Sequence, residues 1–289
     1  MVEKVEHLGF PNCLAVSNGD AQLIVSTDFG PRILFYGLDD GKNILGWHGE
    51  AEVEMELGKW KPYGGHRLWI APENMPLSYA PDNSPLEYFI ENEFSITLIQ
   101  PFEPYGQTQK EITVTLSEKG GKAIIDHKIT NAGSKQIELS AWALTIMQPG
   151  GEAIIPNEPL QPYSAINLLP VRSMALWSYT DFTDPRWNYE QGLIRLRVDE
   201  NAHSPQKIGV LNKQGWAAYA WQNLIFVKRF DFLEDCVYPD MNSNTEVYTA
   251  GSFVEVETLS PMRELQPGES VRHTERWQLY ANKTLGEIV

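Results

Sequence analysis

Apolar residues recur at every second position along much of this chain, while the three-and-four spacing of an amphipathic helix is scarce. That is the mark of strands with one buried face. Gln22 to Thr27 and Ile33 to Tyr36 read as strands around the turn Asp28-Phe29-Gly30-Pro31. Ile112 to Leu116 is another, closed by Gly120-Gly121. Ala123 to Thr130 and Ile137 to Met147 are long strands joined by Asn131-Ala132-Gly133-Ser134, residues that tolerate the positive φ of a hairpin turn. Leu193 to Val198, Trp216 to Trp221, Leu224 to Phe230, Phe253 to Leu259 and Val271 to Tyr280 complete the set. Many strands with polar turns and no helices between them predict an all-β fold, a large antiparallel sandwich. The Pro-rich stretches 72–85 and 156–170 read as long loops rather than linkers, so residues 1–289 are expected to form a single domain.

Two segments stand out against this pattern. Gly64-Gly65-His66-Arg67-Leu68-Trp69, followed by Glu73, crowds an imidazole, a guanidinium, an indole and a carboxylate behind two glycines. Arg67 offers a fork of donors to vicinal hydroxyls or a carboxylate, and His66 can exchange a proton near neutral pH. The plainer reading is a structural loop in which Arg67 pairs with Glu73. In Val254-Glu255-Val256-Glu257 the two glutamates share one strand face, where each raises the other's proton affinity and favours acid–base work. The plainer reading there is a solvated face.

Other residues carry less. Glu50, Glu52, Glu54 and Glu56 alternate on what reads as an exposed strand, its edge protected by charge. His127 sits in the apolar stripe of Ile125 and Ile129, as core histidines do. Lys228 shares a face with Phe226 and Phe230 and needs either water or a partner, which makes it a candidate pocket residue. Asp240, in the polar loop Tyr238 to Asn244, is a candidate hydroxyl ligand, although Asp at turns usually serves the backbone. Phosphate loops, dinucleotide fingerprints, zinc spacings and serine elbows are absent, so neither a cofactor nor a metal is expected.

Charge narrows the partner. A formal net charge of −15 repels nucleic acid and anionic membrane surfaces. A neutral sugar or small glycan is not repelled, and nine tryptophans and twelve tyrosines supply flat faces for one. The N-terminus lacks the pattern of a secretory signal, and Cys13 and Cys236 are isolated, so a cytoplasmic setting is expected. The oligomeric state has no signal.

Several short segments together resemble the galactose mutarotase-like, or aldose 1-epimerase-like, superfamily, and most closely an uncharacterised branch of it. They are Asn18-Gly19, Phe29-Gly30-Pro31-Arg32-Ile33, Gly41 to Gly46, Tyr63 to Trp69, the hairpin from Ile129 to Trp142, and Val256-Glu257-Thr258 with Pro261. The resemblance implies the supersandwich fold and a sugar on its concave face. By position it implies Glu257 as general base, with Glu255 beside it and Arg67 as a sugar-binding arginine. Trp142 stands where the family's catalytic histidine is expected and offers a stacking face instead. A carbohydrate-binding protein using Arg67, Trp69, Glu73, Trp142, Lys228, Asp240 and Glu255 is therefore the leading expectation. The alternatives are a mutarotase with Glu257 as base and His66 as a relocated acid, and an oligosaccharide lyase or hydrolase.

Overall fold

The computed structural model describes residues 1–39, 41–49 and 51–289. Two large antiparallel sheets pack face to face. The first runs in space as Val2–His7, Phe10–Ser17, Ala21–Ser26, Arg32–Leu38, His66–Ala71, Ile137–Met147, Val254–Leu259, Thr245–Thr249, Gln206–Val210 and Met174–Leu176, with Arg263–Leu265 alongside the start of Ile137–Met147. The second runs Trp187–Glu190, Leu193–Arg197, Glu152–Pro156, Trp216–Trp221, Leu224–Phe230, Ser270–Ala281, Lys122–Asn131, Thr108–Leu116, Ser95–Ile99 and Glu87–Asn92. No helix among the described residues is long and apolar enough to cross a membrane.

The core lies between the sheets. Leu23, Ile33, Ile208 and Val256 come from the first, and Ile112, Ile125, Phe226 and Trp277 from the second, all essentially free of solvent. Burying each such side chain contributes about 1.5–3 kcal/mol. Strand Thr108–Leu116 alternates strictly between buried and half-buried positions, as the sequence pattern requires. Ile137–Met147 is buried on both faces from Leu139 onward. Its second buried face is covered by loops and by the wall of a cleft, and this distinguishes it from an ordinary strand.

Gly64 and Gly65 let His66–Ala71 enter the first sheet. Their φ values are 151° and 73°, and a Cβ on Gly65 would lie 2.1 Å from the Ile33 carbonyl oxygen. Only glycine permits that approach.

Two expectations about local structure change. The glutamate-rich segment is not one long strand: Val53–Met55 turns back at Gly58 to pair with Gly58–Trp60. Its charges are balanced from within the hairpin, because Lys59 lies 2.8 Å from Glu52 and 4.0 Å from Glu54, and Lys61 lies 3.4 Å from Glu52. Glu50 lies outside the described residues. The loop before Thr245–Thr249 contains one helical turn, Pro239–Asn242, with Asp240 and Met241 at positive φ. Cys13 and Cys236 are free thiols.

Candidate functional site

Strand register gathers one set of side chains onto the outer face of the first sheet. Trp142 pairs with Trp69, Leu144 with both Arg67 and Glu257, and Ile146 with Glu255. Glu246 pairs with Glu257, and Tyr248 with both Glu255 and Lys207. Partnered residues in a sheet point the same way, so all of these face away from the core. Apart from the deeper Glu246 and Glu257, they floor a cleft of about 340 Å³, walled further by Trp60, Tyr79, Tyr179, Phe253, His48 and Glu73.

Arg67 is buried between two indoles, its guanidinium carbon 4.0 Å from the Trp69 ring and 5.2 Å from the Trp60 ring. Burial, reinforced by Arg32, lowers its pKa to about 10, so it remains a cation. Its Nε and Nη1 have no hydrogen-bond partner within the protein. His48 lies edge-on to Phe253 with its Nε2 also unpartnered. Burial, then Arg67, takes its pKa down to about 4, which makes it a neutral imidazole at pH 7.

Lys207 reaches the cleft from Gln206–Val210 with its ammonium 4.7 Å from both the Trp142 and the Trp177 rings. It lies 2.7 Å from Glu246 and 3.2 Å from Glu257. Burial disfavours its charge, but these carboxylates outweigh burial and hold its pKa well above the usual value. Burial raises Glu246 against the pull of Lys207. Glu255, partly exposed on the cleft wall, is pushed up to about 7 by burial and then by Glu257. Three carboxyls around one ammonium leave the cluster with a proton that is gained or lost near neutral pH.

Six of the residues singled out in the sequence meet here: Arg67, Trp69, Glu73, Trp142 and Glu255 line the cleft, and Glu257 lies beneath it. Glu257 is fully buried, accepting from the Trp142 indole N–H at 2.8 Å and from Lys207 at 3.2 Å. Its position beneath the Trp142 indole and the Lys207 ammonium differs from the open one expected of a base, and its Oε1 has no partner within the protein.

His66 and Lys228 do not join the site. Neighbouring side chains on a strand point to opposite faces, so Arg67 in the cleft forces His66 into the core. There a chain of donors runs in one direction. The Lys228 ammonium donates to Thr145 Oγ1 at 2.7 Å, and the Thr145 hydroxyl to His66 Nδ1 at 2.8 Å. His66 Nε2 donates to His127 Nε2 at 2.7 Å, and His127 Nδ1 to the His273 carbonyl at 2.8 Å. The carbonyl can only accept, and this fixes every hydroxyl and tautomer upstream of it. Lys228 also meets Glu275 at 2.7 Å, finding the carboxylate that a buried lysine needs. Burial lowers all three imidazoles, His273 to about 3. His66, His127 and Glu275 bring ligand-type atoms within 4.8 Å of one another, but those atoms are committed to these hydrogen bonds.

Asp240 is also elsewhere. It lines a smaller hollow with Trp177 and Met241, held there by the left-handed backbone of its helical turn.

The sequence reading missed Lys207, Glu246, Tyr179, Tyr248 and His48. For Glu246 and Tyr248 a signal existed: they alternate with Val247 just as Glu255 and Glu257 alternate with Val256. Lys207 alternates with Ile208 in the same way. His48 lies in irregular chain, where no periodicity marks it.

The two-sheet fold is similar to that of solved galactose mutarotase-like proteins. A galactose mutarotase-like protein from Lactobacillus casei superposes with a TM-score of 0.61 at 10% identity, over 93% of this chain and 100% of its own. A galactose mutarotase related enzyme from Lactobacillus acidophilus gives 0.60 at 8% identity, over 94% and 98%. A TPR-domain containing protein from Parabacteroides distasonis gives 0.63 at 14% identity, over 94% of this chain and 47% of its own. No family model and no curated protein matches the chain by sequence. At these identities the likeness defines the fold.

Proposed function

We propose that this protein binds a carbohydrate in the cleft on the outer face of its first sheet. The observation that carries the reading is the pairing of aromatic walls with polar atoms that find no partner inside the protein. Trp60 and Trp69 flank Arg67, whose Nε and Nη1 are unpaired, Trp142 lies edge-on to Trp69, and His48 Nε2 is unpaired in the same cleft. A pyranose presents an apolar C–H face to indoles and a rim of hydroxyls that both donate and accept. Arg67 and Lys207 supply donors for that rim, and Glu73 and Glu255 supply acceptors. The volume, about 340 Å³, falls in the range of small-ligand sites.

The test is calorimetry or ligand-observed NMR against a panel of neutral and acidic mono- and oligosaccharides. Binding is expected, with Trp69→Ala weakening it by about tenfold or more. Failure to bind any member of the panel overturns the reading.

A second reading, chemistry at the anomeric centre, is favoured by Glu255, a wall carboxyl whose pKa of about 7 lets it give or take a proton. In a mutarotation it would protonate the ring oxygen while a base removes the anomeric hydroxyl proton and the ring C–O bond breaks. Closure on the other face returns both protons. Freshly dissolved α-glucose or α-galactose followed by NMR tests it: anomer exchange should quicken with the protein and slow with Glu255→Gln. Sugar binding without acceleration leaves the binding reading alone.

A further inference from the structure

A second cavity of about 340 Å³ opens at one end of the core, between the sheets. The 72–79 loop separates it from the sugar cleft: Glu73 and Tyr79 wall the cleft, and Leu77 and Ser78 wall this pocket. Its apolar side is Ile70, Leu77, Ile137 and Leu139. Its polar side comes from strand Thr108–Leu116, where Thr108 and Lys110 share a face with Ile112 and Val114. The last two are sealed in the core, so the lysine enters the pocket from the apolar interior.

Lys110 is 9% exposed, yet no carboxylate or hydrogen-bond acceptor among the described residues meets its ammonium. Buried cations elsewhere in the chain are paired. Arg32 has Asp82 at 3.0 Å, Arg186 has Asp184 at 2.7 Å, and Lys228 has Glu275 at 2.7 Å. Arg67, the other exception, lies in the sugar cleft. Glu103 lines the same pocket as Lys110, but its two oxygens accept the backbone N–H groups of Tyr105 and Gly106, each at 2.7 Å. The Thr108 hydroxyl, 1% exposed, is also without a partner. The buried Thr108 hydroxyl left unpaired is costly, the Lys110 ammonium beside it lacks a partner among the described residues, and a ligand that satisfies both recovers that cost.

We propose that this pocket is a second binding site, for a small organic monocarboxylate with an apolar body. One carboxylate oxygen meets the Lys110 ammonium, the other accepts from Thr108, and the hydrocarbon packs on Ile70, Leu77, Ile137 and Leu139. A single negative charge fits best, because Glu103 already contributes a second carboxylate and a dianion would leave excess charge in a low-dielectric space. Burial lowers the lysine's pKa, with Asp82 and Glu103 offsetting only part of the effect, so a carboxylate beside it favours the charged form.

The experiment titrates the full chain with butyrate, hexanoate and benzoate, and with the corresponding primary amides, by calorimetry and by amide shifts of Thr108 and Lys110. The carboxylates should bind one per chain and shift those two amides, while the amides bind about tenfold more weakly or less. Lys110→Met should lose about tenfold in carboxylate affinity without losing stability, because the amine makes no ion pair or hydrogen bond with the described residues for the change to break. Thr108→Val should lose severalfold, and it decides the matter if the methionine variant does not fold. Sugar binding in the other cleft should be unchanged in both. Equal binding of acids and amides, carboxylate affinity unaffected by the two substitutions, or no carboxylate binding at about 10 mM overturns the proposal.

Discussion

Replacing Lys207 with methionine tests the electrostatic logic of the cleft. Methionine keeps the apolar stem against Trp142 and Trp177 but removes the ammonium 2.7 Å from Glu246 and 3.2 Å from Glu257, both carboxylates fully buried. Removing one member of a buried ion pair costs about 3–5 kcal/mol, because the remaining charge stays out of water. Two lost cation–π contacts add to that and put the effect toward the upper end. The cost should depend on pH in a defined direction. Glu246 is already raised above its ordinary 4.5 by burial against the pull of Lys207, and without the lysine it rises further. A carboxyl with a raised folded pKa binds more protons folded than unfolded, so stability is full below about pH 4.5 and falls as pH rises toward the folded value. The slope is about 1.4 kcal/mol per pH unit for one proton. Urea unfolding of both proteins from pH 5 to pH 8 should therefore show a small deficit at the acid end and the full deficit at the basic end. Adding Glu246→Gln to Lys207→Met should recover about half or more of the loss at pH 8. A deficit below about 1 kcal/mol, or one that does not change with pH, refutes the reasoning.

Three further outcomes follow from the same geometry. Arg67→Met should weaken sugar binding by about tenfold or more in calorimetry and cost less urea stability than Lys207→Met, since the guanidinium has no ion-pair partner to abandon and loses only its contacts with Trp60 and Trp69. Sugar affinity should change between pH 6 and pH 8 as Glu255, with its pKa of about 7, switches from donor to acceptor, and Glu255→Gln should flatten that profile. The same substitution should also remove Glu255's share of the stability lost between pH 4.5 and about 7. Lys228→Met should cost about 3–5 kcal/mol in urea unfolding by stranding Glu275 in the core.

The strand pattern was legible because most of these strands bury one face, and period-two alternation records that directly. Ile137–Met147, Trp216–Trp221 and Leu224–Phe230 have the predicted limits, and most other strands differ by a few residues at their ends. Gln206–Val210 and Thr245–Thr249 were harder to read because each is only five residues long, so their alternation spans too few positions to stand out. The site was half legible for the same reason. Glu255 and Glu257 read correctly as sharing a face, but sequence could not tell that Trp142 and Lys207, from separate strands, would roof one and leave the other open. His66 shows the opposite failure. Its chemistry suggested a site and its neighbour Arg67 belongs to one, yet adjacency in a strand places the two on opposite sides of a sheet.

That buried face has a mechanical meaning. Five hydrogen bonds cross between the sheets at the histidine cluster: Lys228 to Thr145 and to the Val256 carbonyl, His66 to His127, and Thr258 with His273 and Glu275. Greasy faces alone can slide past one another at little cost. Here a slip by one strand spacing, about 4.8 Å, would break all five and strand an ammonium and a carboxylate in hydrocarbon. The cluster acts as a key between two plates. It sets the alignment of the first sheet on the second, and with it the curvature on which Arg67, Trp69 and Trp142 are spread.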